Sequence, residues 1–504
     1  MPQLSDALYP AAWLPERVLQ FGTGVLLRGL PDYFIDKANK QGIFNGTIVV
    51  VKSTGGTTDE FAAQNSRYTL AVRGIENGQD VHENIVITAI SRVISAQTQW
   101  RDVLNVAKNP ALQLIISNTT EVGLTYVEES IFQSPPASFP AKLTAFLYER
   151  FKDVGGSRNR GLIVIPTELV TDNGLKLREM VEALAKHNEL GRLFMKWLKF
   201  HVRFCNSLVD RIVPGKPDAD TLAALQTKLG YTDALLTMAE PYRLWAIEGD
   251  ERVRDILSFA QVDPGVIIEE DITFYRERKL RLLNGVHTLT VPIAYLLGIE
   301  TVYEANHNPA ASAFIRQLMY NEILPTVPDM GLPGMDAAAI SAFAEEVLER
   351  WRNPHIEHLL LSITLEHTAK MQSRNVKTLQ RYYRKFNAVP PLMALGMAGY
   401  LRFMWAVRVE EGQYFGEIET GAGVVTYPIR DAQAAYFYDR WQAVNPADDA
   451  SVRALVLAVL ADQQRWQVNL TTLPGFADAV ATHLSDLLTI GPAATLARSV
   501  QLAE

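Results

Sequence analysis

The chain has 504 residues, 48% apolar and 21% charged; with mean hydropathy near zero, it is longer than one core usefully fills, so two domains are expected. No run reaches the 18 apolar residues that span a bilayer, since 391–407 is broken by Gly396, Gly399 and Arg402, and residues 1–15 carry no basic stretch leading into an apolar one, so the expected location is cytoplasmic, with no membrane partner. The lone Cys205 rules out an intramolecular disulfide framework and any multi-cysteine metal site, and a net charge of −8 argues against nucleic acid, whose phosphates call for clustered cations.

In chain order, residues 17–21 form a short apolar run that enters the glycine turn Gly22-Thr-Gly24 and an amphipathic stretch over 25–40. Residues 46–52, with a continuous β-branched centre, read as a buried parallel strand, so the chain opens as strand, helix, strand, the start of a dinucleotide-binding fold. Strands are expected at 68–74, 86–93, 112–117 and 162–166, with helices at 99–108, 174–187 and 190–206. From residue 284 the texture turns to long helical patterns, at 284–297, 309–322, 336–351, 355–374, 391–407, 432–441, 451–465 and 474–490, with a hairpin around 414–427. The expected class is α/β plus all-α: a dinucleotide-binding domain over 1–270 and a mostly helical substrate and catalytic domain over 271–504.

Gly22-x-Gly24 stands where a strand passes into a helix, and absent side chains there let backbone N–H groups approach a pyrophosphate. The fingerprint's third glycine is replaced by Leu27, so a plain tight turn fits the motif alone equally well. The second strand ends Val51-Lys52-Ser53 without the usual acidic residue; Lys52 reads either as a 2′-phosphate contact or as a solvated lysine.

Lys279, Asn284 and His287, spaced by five and eight residues, share an arc of about 140° on a helix. A lysine beside Arg276, Arg278 and Arg281 can move a proton at a reacting hydroxyl, and an amide with an imidazole can bind the developing oxyanion. A basic helix face with a capping asparagine and a satisfied histidine fits the same residues. His355 and His358 stand three apart but have no evident third ligand, so no metal is expected; the run Phe403-Met404-Trp405 reads as core.

Lys-x4-Asn-x2-His, the segment Ser207-Leu-Val209-Asp210-Arg211-Ile-Val-Pro214 and the opening Gln20-Phe21-Gly22-Thr-Gly24-x3-Arg28 together resemble the long-chain mannitol dehydrogenase family, over nearly the whole chain. Ser117-Asn-Thr-Thr-Glu121, Phe139-Pro-Ala-Lys-Leu143, Pro166-Thr-Glu168-Leu-x3-Asn173-Gly174 and Glu277-Arg-Lys279 resemble the branch of that family that reduces keto-hexuronates. The resemblance implies a Rossmann-type domain followed by a helical one, with catalysis between them, no metal, NAD as cofactor and a sugar acid as substrate, reduced from tagaturonate to altronate. It implies that Phe21, Gly22, Thr23, Gly24, Val25, Leu26, Arg28, Gly29, Lys52, Asn118 and Thr119 line the cofactor, that Lys279 is the acid and base, and that Asn284 and His287 bind the reacting oxygen. Asn173, Val209, Asp210 and Lys370 are the implied substrate contacts, with Arg374 or Arg211 as helpers. Polyol-oxidising members carry an arginine and a lysine eight apart after an Asn-Pro; here Asn353-Pro354 is followed by Ser362 and Lys370, which argues against mannitol. A fructuronate reductase or neutral polyol dehydrogenase, and a non-enzymatic dinucleotide-binding protein, are the alternatives.

Overall fold

The computed structural model describes residues 1–119, 123–155, 157, 160–421 and 423–502, and the chain forms two units, Met1–Ile272 and Thr273–Glu504. In the first, the strands in chain order are β1 (Glu16–Phe21), β2 (Thr47–Lys52), β3 (Tyr68–Glu76), β4 (Gln79–Ile87), β5 (Ile90–Ser95), β6 (Leu114–Ser117), β7 (Leu162–Pro166), β8 (Val202–Phe204), β9 (Ser207–Asp210), β10 (Thr237–Ala239), β11 (Leu244–Glu248) and β12 (Val266–Glu269). Six of them make one parallel sheet in the order β5-β2-β1-β6-β7-β8. Alternation along β1 and β2 builds the two faces: Val18, Ile48 and Val50 join a core with Phe34 and Trp245, and Leu19, Phe21, Val49 and Val51 join another with Trp100 and Phe146. Burial on both faces explains why these strands read as unbroken apolar runs.

Several expected elements divide. The strand expected over 86–93 is two, because Asp36 takes both the N–H and the hydroxyl of Thr88, at 2.7 and 3.0 Å, between the end of β4 and the start of β5. β4 thus stays in the hairpin with β3 while β5 enters the parallel sheet. The stretch 25–40 is two helices, Val25–Gly29 and Pro31–Lys40, parted at Leu30, whose helical conformation the following proline disfavours. The helix expected over 190–206 runs only from Arg192 to His201 before β8. Among the described residues the unit also holds two small sheets, β10-β3-β4 and β12-β11-β9.

The second unit is mostly helical, with one antiparallel sheet of β13 (Arg408–Glu410), β14 (Gln413–Thr420) and β15 (Gly423–Ile429) where a hairpin is expected. Its central helix, Pro391–Phe403, packs closely on Val286–Leu296: a Cβ on Gly396 or Gly399 would fall 2.8 Å from Leu289 or 2.2 Å from Ile293. The glycines that interrupt the apolar run therefore seat one helix on another. Among the described residues no helix is long and apolar enough to cross a membrane. Phe403 and Met404 are buried and Trp405 stacks on Trp441.

Among the described residues three segments depart from α geometry into the wider π register: Lys279–Gly285, Leu318–Ile323 and Gln372–Val376. The helix expected over 355–374 is broken, into Leu360–Ile363 and His367–Met371, followed by the last π segment. Asn353 folds a turn by accepting the His355 N–H at 2.9 Å, and Glu366 takes a left-handed φ of 51°, so His355 and His358 lie outside any helix.

Candidate functional site

In the first unit, β1 lies mid-sheet; the chain lays β2 and β5 on one side of it, then returns to place β6, β7 and β8 on the other. The carboxyl ends of β1 and β6 form the switch point at which open α/β sheets bind ligands. Gly22 leaves β1 at φ +127°, its N–H on the Val51 carbonyl at 3.0 Å. A Cβ on Gly22 would stand 2.9 Å from Leu27 and 3.1 Å from the Asn118 carbonyl, whereas one on Gly24 would meet nothing within 4 Å. Gly22 is thus demanded by the turn and Gly24 leaves open backbone beside it, a cradle that a side chain would fill and that fits a dinucleotide phosphate.

At the end of β6, the Asn118 amide donates to the carbonyl and hydroxyl of Thr167 at 3.1 and 3.0 Å. Thr119 is held through its N–H, at 2.9 Å, by buried Glu168, whose pKa burial raises against its hydrogen bonds. The Pro-Thr-Glu motif therefore aims the strand end beside the glycine turn; Thr120 and Glu121 lie outside the described residues. Thr23, Val25 and Leu26 follow the turn half-buried, and Lys52 ends β2 half-buried. Phe21 is fully buried against Phe139. Arg28 turns inward, donating to the Leu235 carbonyl at 2.6 Å and stacking on Tyr68, and Gly29 is pressed on Val213.

The implied substrate contacts of this unit are tightly packed. Asn173 is fully buried; its NH2 donates to the carbonyls of Pro166, Glu168 and Ser207, and its oxygen accepts from Gly174 and Ser207. Val209 and Asp210 are buried in β9. Arg211 donates to the carbonyls of Gly29 and Glu240 and lies over the Tyr33 ring.

The second unit gathers the other residues. Lys279 opens the first π segment and Asn284 stands five residues on, a spacing equal to the π hydrogen-bond register, which sets the two one turn apart on one face. His287 follows in the first turn of Val286–Leu296, buried, its ring 4.0 Å from that of Trp351 and 5.9 Å from that of His358. Burial, with His358, Arg374 and Arg350 nearby, holds the His287 pKa well below the ordinary value, so the imidazole is neutral. His358 is lowered too, by burial and by Arg350 and Lys370. Lys370 donates to the Ile363 carbonyl at 2.9 Å, while Ser362 is exposed.

A polar seam joins this helix to the Lys370 segment. Pro292 has no N–H to offer the Thr288 carbonyl four residues back, and His367 takes that carbonyl through Nε2 at 2.8 Å. Arg374 donates to the Thr288 hydroxyl at 3.0 Å, and that hydroxyl donates to the Asn284 carbonyl at 2.7 Å. The neighbouring arginines have separate tasks: Arg278 stacks on Phe343, and Arg281 is buried against Glu277. In the sequence His358 reads only as a candidate metal ligand and Trp351 as the end of a helical pattern, so neither points to His287. Among the described residues no three His, Cys, Asp or Glu side chains gather as a metal would need.

Comparison with known proteins matches residues 16–259 to the mannitol dehydrogenase Rossmann domain and 271–488 to the mannitol dehydrogenase C-terminal domain. The chain belongs to the mannitol dehydrogenase family. Altronate oxidoreductase of Halalkalibacterium halodurans is 38% identical over 487 residues, covering 96% of this chain and 93% of that protein. The protein of that name from Bacillus subtilis is 36% identical over 481 residues, covering 95% and 94%. Among solved structures, Pseudomonas fluorescens mannitol 2-dehydrogenase, in a ternary complex with NAD and D-mannitol, aligns with TM-score 0.72 at 22% identity, covering 99% of this chain and 100% of that one. A D-sorbitol dehydrogenase aligns at 0.77 and 19%, covering 98% and 100%. The protein is accordingly an oxidoreductase acting on CH–OH groups, with a nicotinamide dinucleotide as its cofactor class.

Proposed function

We propose that the protein reversibly reduces the keto-hexuronate tagaturonate to altronate with NADH and without a metal, and that Lys279, Asn284 and His287 carry the chemistry. The observation behind this reading is the π segment that puts Lys279 and Asn284 on one face and leads straight to neutral, buried His287. The altronate oxidoreductases, 36–38% identical over almost the full length, support the sugar acid.

The first unit would hold the cofactor at Gly22, Thr23 and Gly24, with Val25, Leu26, Asn118, Thr119 and Lys52 around it; when bound, the nicotinamide supplies the reducing equivalent. Phe21, Arg28, Gly29 and Asn173, whose side chains or surfaces are taken up by packing, serve as supports of that frame. In the second unit Asn284 and His287 donate to the carbonyl oxygen and stabilise the charge that grows there. Lys279 delivers the proton in reduction and removes it in oxidation. Lys370 and Arg374 hold the carboxylate, and His358 contacts the sugar beside His287. Val209 and Asp210 shape the substrate's surroundings.

The test is steady-state oxidation of NADH and of NADPH over a panel of keto-uronates and ketoses. The reading expects tagaturonate and NADH to be preferred. Preference for a neutral ketose would replace the sugar acid with a polyol, and preference for NADPH would make Lys52 a 2′-phosphate contact.

A further inference from the structure

We propose that Arg281 is a positioning residue for the reaction: its buried guanidinium clamps the π segment bearing Lys279 and Asn284 to the π segment that follows Lys370, fixing the reacting end of the substrate site relative to its carboxylate end. The inference rests on the function proposed above.

Arg281 is 2% exposed and lies inside the first π segment. Its Nη1 donates to the carbonyls of Ser373, at 3.3 Å, and of Arg374, both within the second π segment. A π turn disturbs the regular pairing of its own carbonyls, and the guanidinium supplies donors to two of them. On its other side, Nε and Nη2 of Arg281 face the two oxygens of Glu277, each at 3.3 Å, and Glu277 also pairs with Arg381 on the helix Lys377–Phe386. Burial alone would raise the Glu277 pKa, but the two arginines hold it below the ordinary value, so the carboxylate stays charged. Beside this clamp the segments lie close: a Cβ on Gly285 would stand 3.1 Å from the side-chain oxygen of Asn375 and 3.8 Å from the Arg374 carbonyl.

A buried ion pair is a weak source of stability, because removing charges from water offsets most of what their attraction returns. This one sits where the two segments carrying or adjoining the proposed site residues both leave α geometry, and its Nε and Nη2 fork faces the Glu277 carboxylate while Nη1 reaches two adjacent carbonyls. That geometry suits guanidinium and not ammonium.

The test compares Arg281→Ala and Arg281→Lys with the parent for kcat, KM, NADH Kd and Tm, with and without added guanidinium ion. Misplacement by about 1 Å can cost on the order of 100-fold in rate, and a loss of that order in kcat/KM is expected for Arg281→Ala, shared between lower kcat and higher KM, with NADH Kd unchanged. Guanidinium should restore turnover to that variant and methylammonium should not; Arg281→Lys should recover Tm without recovering kcat. The inference is overturned if folded Arg281→Ala turns over like the parent, or if guanidinium gives no rescue, or if Arg281→Lys regains rate and stability together. Should Arg281→Ala fail to fold, Arg281→Lys with its split between Tm and kcat decides. All ratios use whichever sugar the parent reduces best, so a wrong substrate assignment shows in the parent alone and leaves the ratios for the Arg281 variants unaffected.

Discussion

The Lys370 ammonium donates to the Ile363 carbonyl at 2.9 Å, a contact that directs the charged end of the side chain. A charge-assisted bond to a substrate carboxylate contributes about 1.5 to 3 kcal/mol, so Lys370→Met should raise KM for tagaturonate roughly 10-fold to 150-fold. A neutral ketose such as fructose should lose much less, and equal losses in kcat/KM on both sugars would remove the carboxylate assignment. His287 presents a different kind of test. Its pKa is depressed, chiefly by burial and then by His358, Arg374 and Arg350, so its proton is already gone when the pH reaches the ordinary histidine range. The pH profile of kcat/KM should therefore show no histidine limb near about 6.5. A limb there that disappears in His287→Asn would show instead that the ring titrates during turnover.

At the scale of the element, the departures from α geometry mark what the sequence concealed. The spacing of Lys279, Asn284 and His287 was legible as a shared face, but the π register beneath it was not, because that register is set by carbonyl partners far along the chain, such as Ser373 and Arg374 for Arg281. The segment 355–374 reads as a helix by periodicity and is broken by the Asn353 turn and the left-handed Glu366, neither of which leaves a proline or glycine inside the segment as a signal. A third π segment, Leu318–Ile323, offers an independent check. Its Glu322 accepts the N–H groups of Leu392 and Met393, both at 2.7 Å, at the start of the central helix, and burial pushes its pKa from 4.5 up to about 7. The folded chain then keeps a proton that the unfolded chain has lost, so stability is fullest below the unfolded value and falls as pH rises through the folded one. A shift of this size corresponds to roughly 3 kcal/mol between about pH 4.5 and pH 7. Denaturant midpoints measured across that window should decline for the parent, and Glu322→Gln should flatten the slope; an unchanged slope in the variant would place the titration elsewhere.

For the whole molecule, the class was legible because continuous apolar strands can be satisfied only by a sheet covered on both faces, and the long helical patterns that follow call for a bundle. The two small sheets of the first unit were not, since β3, β4 and β9 to β12 read as strands or loops without disclosing which neighbour each pairs with. Two units with different residues for different tasks make a prediction that neither site makes alone. The proposed role of Lys279 at the reacting oxygen predicts that Lys279→Ala abolishes turnover while leaving NADH affinity nearly unchanged. Gly22→Ala should do the reverse: a methyl group at φ +127°, 2.9 Å from Leu27 and 3.1 Å from the Asn118 carbonyl, must displace the turn against which the phosphates would lie. Its NADH Kd should rise by roughly 10-fold or more, corresponding to about 1.4 kcal/mol, while kcat at saturating NADH stays closer to the parent's. Titration of protein fluorescence with NADH for both variants, alongside kcat at saturation, separates the tasks. Turnover within a few-fold of the parent in Lys279→Ala would end its proposed role, and parent-like NADH affinity in folded Gly22→Ala would move the cofactor away from the β1 turn.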